Sequence, residues 1–458
     1  MKKRIVKSEF GKNVLTLMTG STLAQILPIA LTPVLTRLFS PEEFGAYTFY
    51  MSIVTFLLVI AAGRYEQAIV LPKEDKDAIN ILALCFAILS VFVSILLIVF
   101  LVFGNVLADL ISVDGLSSWL WLIPVTVFFG SAYKIFTFWS NRHKRFKGTS
   151  VSVVVQTTGR VAVQMVGGLQ KYNVFTAKEG IVKFFKSIFS KAHGNPSGIT
   201  HIGVGALILS FTLGFFLGTL VFLFPFLKKD KVLFKEVSWK RMKEQAKIHD
   251  KFPKINSVHG VLDELKNIGV TSTILYAFNE AILGFYGMTV RVLRAPLSVI
   301  GNSFAQVFFQ KAAEMHANEQ NFIPLIKSTV KKMLLIGAPI FLVIILFGPP
   351  LFEFVLGEKW RVAGEYAQYL TPWLYLSFAI APVLQVSVIL NKQGQYFIIS
   401  MIHNVIILGS ILVGGIFFKD LTTGFLILSS IQILFYTYAY FWALKLTRET
   451  LKARDSSI

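Results

Sequence analysis

A succession of long apolar runs, each closed off by charged or turn-forming residues, limits what this chain can fold into. The runs fall at 14–38, 45–71, 78–103, 116–139, 150–170 and 202–227, and again at 256–283, 287–310, 330–347, 365–390, 395–418 and 421–445. A bilayer core takes about 20 residues of helix, and inside it each backbone N–H and C=O must be satisfied within the helix itself. Only 15% of the 458 residues are charged, against roughly 25% in a soluble domain. The expectation is an all-α polytopic membrane protein with 12 transmembrane helices in two six-helix bundles related by pseudo-two-fold symmetry. The run that opens near Val14, behind Met-Lys-Lys-Arg, continues past Pro28 and Pro33 and reads as a retained first helix. Asp263, Glu264 and Lys266 interrupt the seventh run.

Charge sets an expected orientation. With the N-terminus cytoplasmic, inside segments hold 30 of the 45 Lys and Arg residues and outside segments hold 8, five of them in the single stretch 171–199. This asymmetry places both termini in the cytoplasm. The basic segment 228–255 separates an N-terminal lobe, 1–227, from a C-terminal lobe with its tail, 256–458. A weak internal echo supports the repeat: PEEFGAY at 41–47 and NEAILGFY at 279–286 each place Glu shortly before Gly-x-Tyr. Within 171–199, residues 175–191 sort on a helical wheel into an apolar arc and a Lys-rich arc, the pattern of an outer helix lying in the membrane interface. A basic collar that captures an anionic headgroup is the alternative.

Seven basic residues remain within the spans: Arg37, Arg64, Lys134, Arg160, Lys266, Arg291 and Arg294. Each costs about 2.5–3.5 kcal/mol if it faces lipid at mid-membrane. Arg37, Lys134 and Arg291 lie near helix ends and can snorkel; Arg64, Arg160, Lys266 and Arg294 are deeper. Arg291 and Arg294, three apart, share a helix face and repel unless an anion or a carboxylate such as Glu280 lies near. Lys266 lies three residues from Asp263 and can be neutralised by it. The acidic residues in the spans, Glu66, Asp263, Glu264 and Glu280, are candidates for coupling to H+ or Na+, or are structural counter-ions.

Other chemistries find no support in the sequence. Cys85 is the single cysteine, which excludes an intramolecular disulfide and a thiolate metal cluster. There is no Gly-x-x-x-x-Gly-Lys-Ser/Thr loop, His-Glu-x-x-His, Gly-x-Ser-x-Gly or ligand-spaced His cluster, so no catalytic residue, cofactor or metal is expected. Gly214-x-x-x-Gly218 reads as close helix packing. Basic residues located within spans call for an anion that enters the membrane, not a nucleic acid.

The stretches LTRLFSPEEFGAY (35–47), FWSNRHKRFK (138–147), FPKINSVHGVLDEL (252–265), GFYGMTVRVLRAPLSVIGNSFAQVFFQKAAE (284–314) and LGEKWRVAGEYAQYLTPW (356–373) resemble the Wzx-type polysaccharide-repeat flippases. That family lies in the multidrug/oligosaccharidyl-lipid/polysaccharide exporter superfamily with MATE drug antiporters and lipid II flippases. The resemblance covers about residues 10–445. It implies a MATE-like fold and movement of an undecaprenyl-pyrophosphate-linked oligosaccharide between the faces of a bacterial inner membrane by alternating access. The family's cationic cavity would correspond to Arg64, Arg160, Lys266, Arg291 and Arg294, with Arg37 and Lys134 on a peripheral path. Membrane lipids and a polysaccharide polymerase become candidate partners. The basic stretch 171–199 departs from the short connection expected in the family. An ion-coupled drug exporter of the same fold would favour an anionic cavity, and seven basic against four acidic residues in the spans argue against it. A membrane glycosyl polymerase or ligase should present a sizeable outer catalytic loop, whereas the outside stretch 171–199 has Glu179 as its only carboxylate.

Overall fold

The computed structural model describes residues 26–111, 113, 115–171 and 202–455, and among these the secondary structure is helical, with no strand. The amphipathic segment 175–191 and the start of the first apolar run lie outside the described residues. A shorter apolar helix α1 (Ile26–Leu38) is followed by the long helices α2 (Pro41–Ile60), α3 (Asp75–Ile111), α4 (Ile123–Arg142), α5 (Phe146–Lys171) and α6 (Ile202–Lys229). They continue with α7 (Ser257–Ala277), α8 (Glu280–Ala317), α9 (Ile323–Leu356), α10 (Arg361–Ile380), α11 (Gln393–Leu412) and α12 (Leu421–Asp455). Among the described residues, eight helical stretches are long and apolar enough to cross a membrane; α5, α7 and α8 are of spanning length but more polar.

Several helices run beyond the apolar stretches, and two runs are broken inside. The run 45–71 is helical only to Ile60, because Gly63 (φ 59°) and Arg64 (φ 60°) are both left-handed, and a 3-10 turn Tyr65–Val70 follows. The run 256–283 breaks at Phe278, and Asn279 caps α8 by accepting the Ile282 N–H at 3.0 Å. Glu280 therefore stands in the first turn of α8, where a carboxylate favours the helix dipole, and not within the seventh span. The echo between the halves has a structural counterpart. Ser40 caps α2 in a reciprocal capping box with Glu43, so both Glu-before-Gly-x-Tyr segments open a helix behind a side-chain cap.

The described chain divides into two compact units, up to Ile268 and from Gly269. The division falls inside α7, beyond the polar connector 228–255 that the sequence marks. The reason is local: the connector, in its helix Trp239–Ile248, and the start of α7 are tied to the 63–67 corner. Tyr65 donates to the Ala246 carbonyl at 3.0 Å, Asn256 donates to Gln67 at 3.2 Å, and the Arg64 guanidinium lies on Gly260.

In the first unit α6 packs closely on α5. A methyl at Gly214 would stand 3.0 Å from the Gln156 carbonyl oxygen of α5, and one at Gly218 would stand 3.2 Å from Gln156 Cβ and 2.7 Å from the Tyr133 ring of α4, so the Gly-x-x-x-Gly pair lets α6 approach both helices. Ser152 donates to the Gly218 carbonyl across the same crossing at 2.7 Å. A buried hydroxyl chain, Tyr50 to Thr126 to Thr212 at 2.6 Å each, joins α2, α4 and α6. Just past α6, the buried Asp230 carboxylate accepts from Trp139 Nε1 at 2.9 Å and from Arg145 at 2.7 Å. Burial alone would raise this carboxyl, but the hydrogen bonds from Arg145 and Trp139 outweigh it and hold it below the ordinary carboxylate range.

In the second unit α9 lies along α10, and a methyl at Gly348 would come 2.7 Å from the Gly364 carbonyl oxygen. Within α9, Phe347 leaves helical geometry (φ −126°, ψ 16°) just before Pro349 and Pro350. Pro349 has no N–H to offer the carbonyl of Ile345, and Gln368 of α10 donates to that carbonyl instead at 2.6 Å. Thr289 of α8 donates to the Ala363 carbonyl at 2.7 Å, tying α8 to α10.

Candidate functional site

In the first unit the structure gathers a charged group around the 63–67 corner. The left-handed residues Gly63 and Arg64 turn the chain sharply after α2, which carries the Arg64 guanidinium onto α7 at Gly260. Any side chain at Gly260 would occupy that seat, since a methyl there would lie 3.0 Å from Arg64 Cζ and closer still to Nη2. Glu66 is buried at 4% exposure, and Lys134 of α4 and Arg64 are within electrostatic reach of it; Glu264 of α7 also acts on Lys134. Arg64 Nε and Glu66 Oε2 are buried without a hydrogen-bond partner among the described residues. Leaving such an atom unmatched costs about 1–3 kcal/mol, which a bound anion or proton would offset. Four of the expected residues, Arg64, Glu66, Lys134 and Glu264, thus belong to one neighbourhood.

The other expected residues of this unit lie on α1, α5 and α7. Arg160 is on α5, its stem against Gly214 of α6 and its Nε buried without a partner among the described residues; one turn on, Gln164 is 1% exposed with Oε1 likewise unmatched. Asp263 pairs with His259 at 3.3 Å, and Glu264 accepts from Asn267 at 2.9 Å. Lys266 is half-buried on the same helix. Arg37 is exposed and donates to its own helix at the Pro33 carbonyl, 2.6 Å away.

The second unit has a cavity of about 410 Å³ whose wall mixes polar and apolar side chains. Arg294 of α8 lines it, with its guanidinium carbon 5.5 Å from the Trp373 ring centroid, a cation–π arrangement that leaves the fork open to an anion. Asn302, Gln385, His403 and Tyr436 add hydrogen-bonding groups to the wall. His403 meets Gln432 at 3.1 Å, and the buried Gln432 Nε2 has no partner among the described residues. Arg291 is half-buried on the same helix but does not line this cavity, and Glu280 lies at the helix start.

Sequence reasoning missed Gly260, Trp373, His403, Gln432 and Tyr436. Histidine and glutamine within apolar runs were the available signal for two of them, since polar side chains in spans face an interior. Among the described residues, no group of three or more His, Cys, Asp or Glu side chains could hold a metal ion.

A search of curated protein sequences finds no match. Solved structures of similar fold do exist. A multidrug-resistance MATE-family transporter of the MOP superfamily aligns at TM-score 0.70 and 11% identity, covering 96% of each chain. The lipid II flippase MurJ aligns at TM-score 0.67 and 14% identity, covering 95% of this chain and 91% of its own. The MATE multidrug transporter DinF-BH aligns at TM-score 0.56 and 14% identity over 93% of each chain. These proteins are transporters and a flippase, not enzymes, and at such identities the likeness establishes the fold. The sequence itself matches the polysaccharide biosynthesis protein family over residues 34–177 and 178–365. With most of its length accounted for in this way, the chain belongs to the polysaccharide biosynthesis protein family and carries a fold like those of the MATE transporter and the lipid II flippase.

Proposed function

We propose that this protein moves an undecaprenyl-pyrophosphate-linked oligosaccharide from the cytoplasmic to the periplasmic leaflet of a bacterial inner membrane by alternating access, for cell-surface polysaccharide biosynthesis. One observation carries the reading: in a polysaccharide-biosynthesis chain, arginines on membrane-embedded elements are seated by their surroundings with guanidinium groups left to bind. Arg64 lies on Gly260, and Arg294 stands over Trp373 in a cavity with hydrogen-bonding groups in its wall. Arginine pairs bidentately with phosphate oxygens, and a dianionic pyrophosphate repays the cost of holding such groups in the membrane. The buried Glu66, in reach of Lys134 and Arg64, is the candidate for taking up a coupling proton; Asp263, Glu264 and Glu280 are weaker candidates because each lies in a more accessible place. The distribution of basic residues supports a cytoplasmic position for both termini.

The test is flipping of a fluorescent undecaprenyl-pyrophosphate oligosaccharide in proteoliposomes. Wild-type protein should flip it, and Arg64→Ala, Arg160→Ala and Arg294→Ala should each insert normally and lose at least tenfold in rate. Wild-type flipping in all three variants would remove the cationic site from the mechanism. Efflux of cationic drugs with no lipid-linked oligosaccharide flipping would replace the reading with a drug exporter.

A further inference from the structure

The second unit holds a second cavity, of about 420 Å³, whose lining is apolar. It lies between α8 and α9, walled by Leu293, Leu297, Pro339, Phe341, Ile344 and Phe352. The break at Phe347, followed by Pro349 and Pro350, bends α9 beside it. Ile340 and Val343, also on its wall, are 38% and 46% exposed on a stretch of α9 apolar enough to span a membrane, so the cavity opens toward the surface that meets acyl chains.

Leu297 lines both this cavity and the mixed one that contains Arg294. The two spaces are therefore neighbours across a single leucine, one with a cation and hydrogen-bonding groups in its wall and the other lined by hydrocarbon. A ligand that fits both is an amphiphile with an anionic head and a long apolar chain. Each volume lies in the range of small-molecule sites.

We propose that the apolar cavity between α8 and α9 is a docking site for the polyprenyl chain of the lipid-linked substrate, used while the pyrophosphate engages Arg294 next door. This inference rests on the flippase reading. Holding the first isoprene units beside the head fixes the lipid at the point where head and tail meet, the part shared by every substrate on the same carrier whatever its sugars. The tail site thus recognises the carrier and leaves the glycan unread.

The experiment uses the full-length protein in nanodiscs. A diazirine placed on the first isoprene units of undecaprenyl pyrophosphate should label residues 292–297 and 339–352, and a phosphatidylglycerol carrying the same group on its acyl chain should label them at least fivefold less. Separately, Ile344→Trp, which fills the cavity, should weaken undecaprenyl pyrophosphate binding at least tenfold and leave inorganic pyrophosphate binding within twofold of wild type, whereas Arg294→Ala should weaken both. Equal labelling by the two probes would show an ordinary annular-lipid crevice and overturn the proposal, as would labelling confined to other helices. If Ile344→Trp folds poorly, the wild-type labelling pattern alone decides. Wild-type protein that binds undecaprenyl pyrophosphate but shows neither effect removes the tail site only; wild-type protein that binds none overturns the flippase reading as well.

Discussion

Replacing Gly260 by alanine tests whether the seat of Arg64 matters, because the two residues touch while lying far apart in sequence. The added methyl would stand 3.0 Å from Arg64 Cζ, closer to Nη2, and 2.9 Å from Val59 Cγ1. Ordinary contact between such atoms begins near 3.5 Å, so the guanidinium has to shift by roughly an ångström. It is the free end of a flexible side chain, and alanine in a helix interior is favoured over glycine by about 0.8–1 kcal/mol, so the two effects nearly cancel in stability. Function does not share this cancellation. Misplacing a positioning group by about 1 Å can cost up to 100-fold, and we expect a ten- to hundred-fold loss of flipping, about 1.4–2.8 kcal/mol, with a melting temperature near wild type. The control is Arg64→Lys, whose compact ammonium lacks the forked head that meets Gly260. In that background Gly260→Ala should cost less than twofold. An equal loss in both backgrounds would show that the methyl acts through Val59 or α7 itself, and a wild-type rate would show that the position of Arg64 is irrelevant.

Three further outcomes are expected. Arg64→Gly should be more stable than Arg64→Ala by about 1 kcal/mol in chemical denaturation, since only glycine occupies φ 60° without strain, and both should be inactive. Asp230→Asn should lose about 1.5–3 kcal/mol by weakening the Arg145 and Trp139 bonds. Because the folded-state pKa of Asp230 is depressed, its contribution is present above the unfolded carboxylate value near 4 and disappears as pH falls through the folded value; the gap between wild type and variant in denaturation curves should therefore hold from pH 7 to about 5 and close in stronger acid. Gln368→Leu should cost about 1–3 kcal/mol by leaving the Ile345 carbonyl unmatched, measured as a lowered melting temperature in detergent.

The helices were legible because hydropathy and charge mark where a helix can enter and leave a membrane. The run at 116–139 matches a 3-10 turn and helix covering Ser117–Arg142, and the run at 202–227 matches α6. The boundary between α7 and α8 was not, because AFNEAILGF stays apolar through the break and only Asn279 marks the cap. Arg64 was recognisable as a charge out of place, whereas its partner Gly260 was not: glycine bears no chemistry, and the contact joins residues nearly 200 positions apart. Trp373, His403 and Tyr436 converge on Arg294 from three different helices, an arrangement that no local spacing encodes. Sequence shows that a cation must be accommodated; the tertiary fold decides what accommodates it.

The repair of α9 by Gln368 bears on how the protein is made. The Ile345 carbonyl lacks its usual donor from the moment α9 is synthesised, and the replacement arrives only with the following helix. A ribosome delivers these segments one after the other, so the earlier one waits in lipid with an unmet acceptor until the later one docks. The Gly348 and Gly364 backbones then meet without side chains between them. During biogenesis α9 and α10 are therefore completed as a hairpin, and interrupting translation between them should leave α9 a substrate for membrane quality control rather than a finished span.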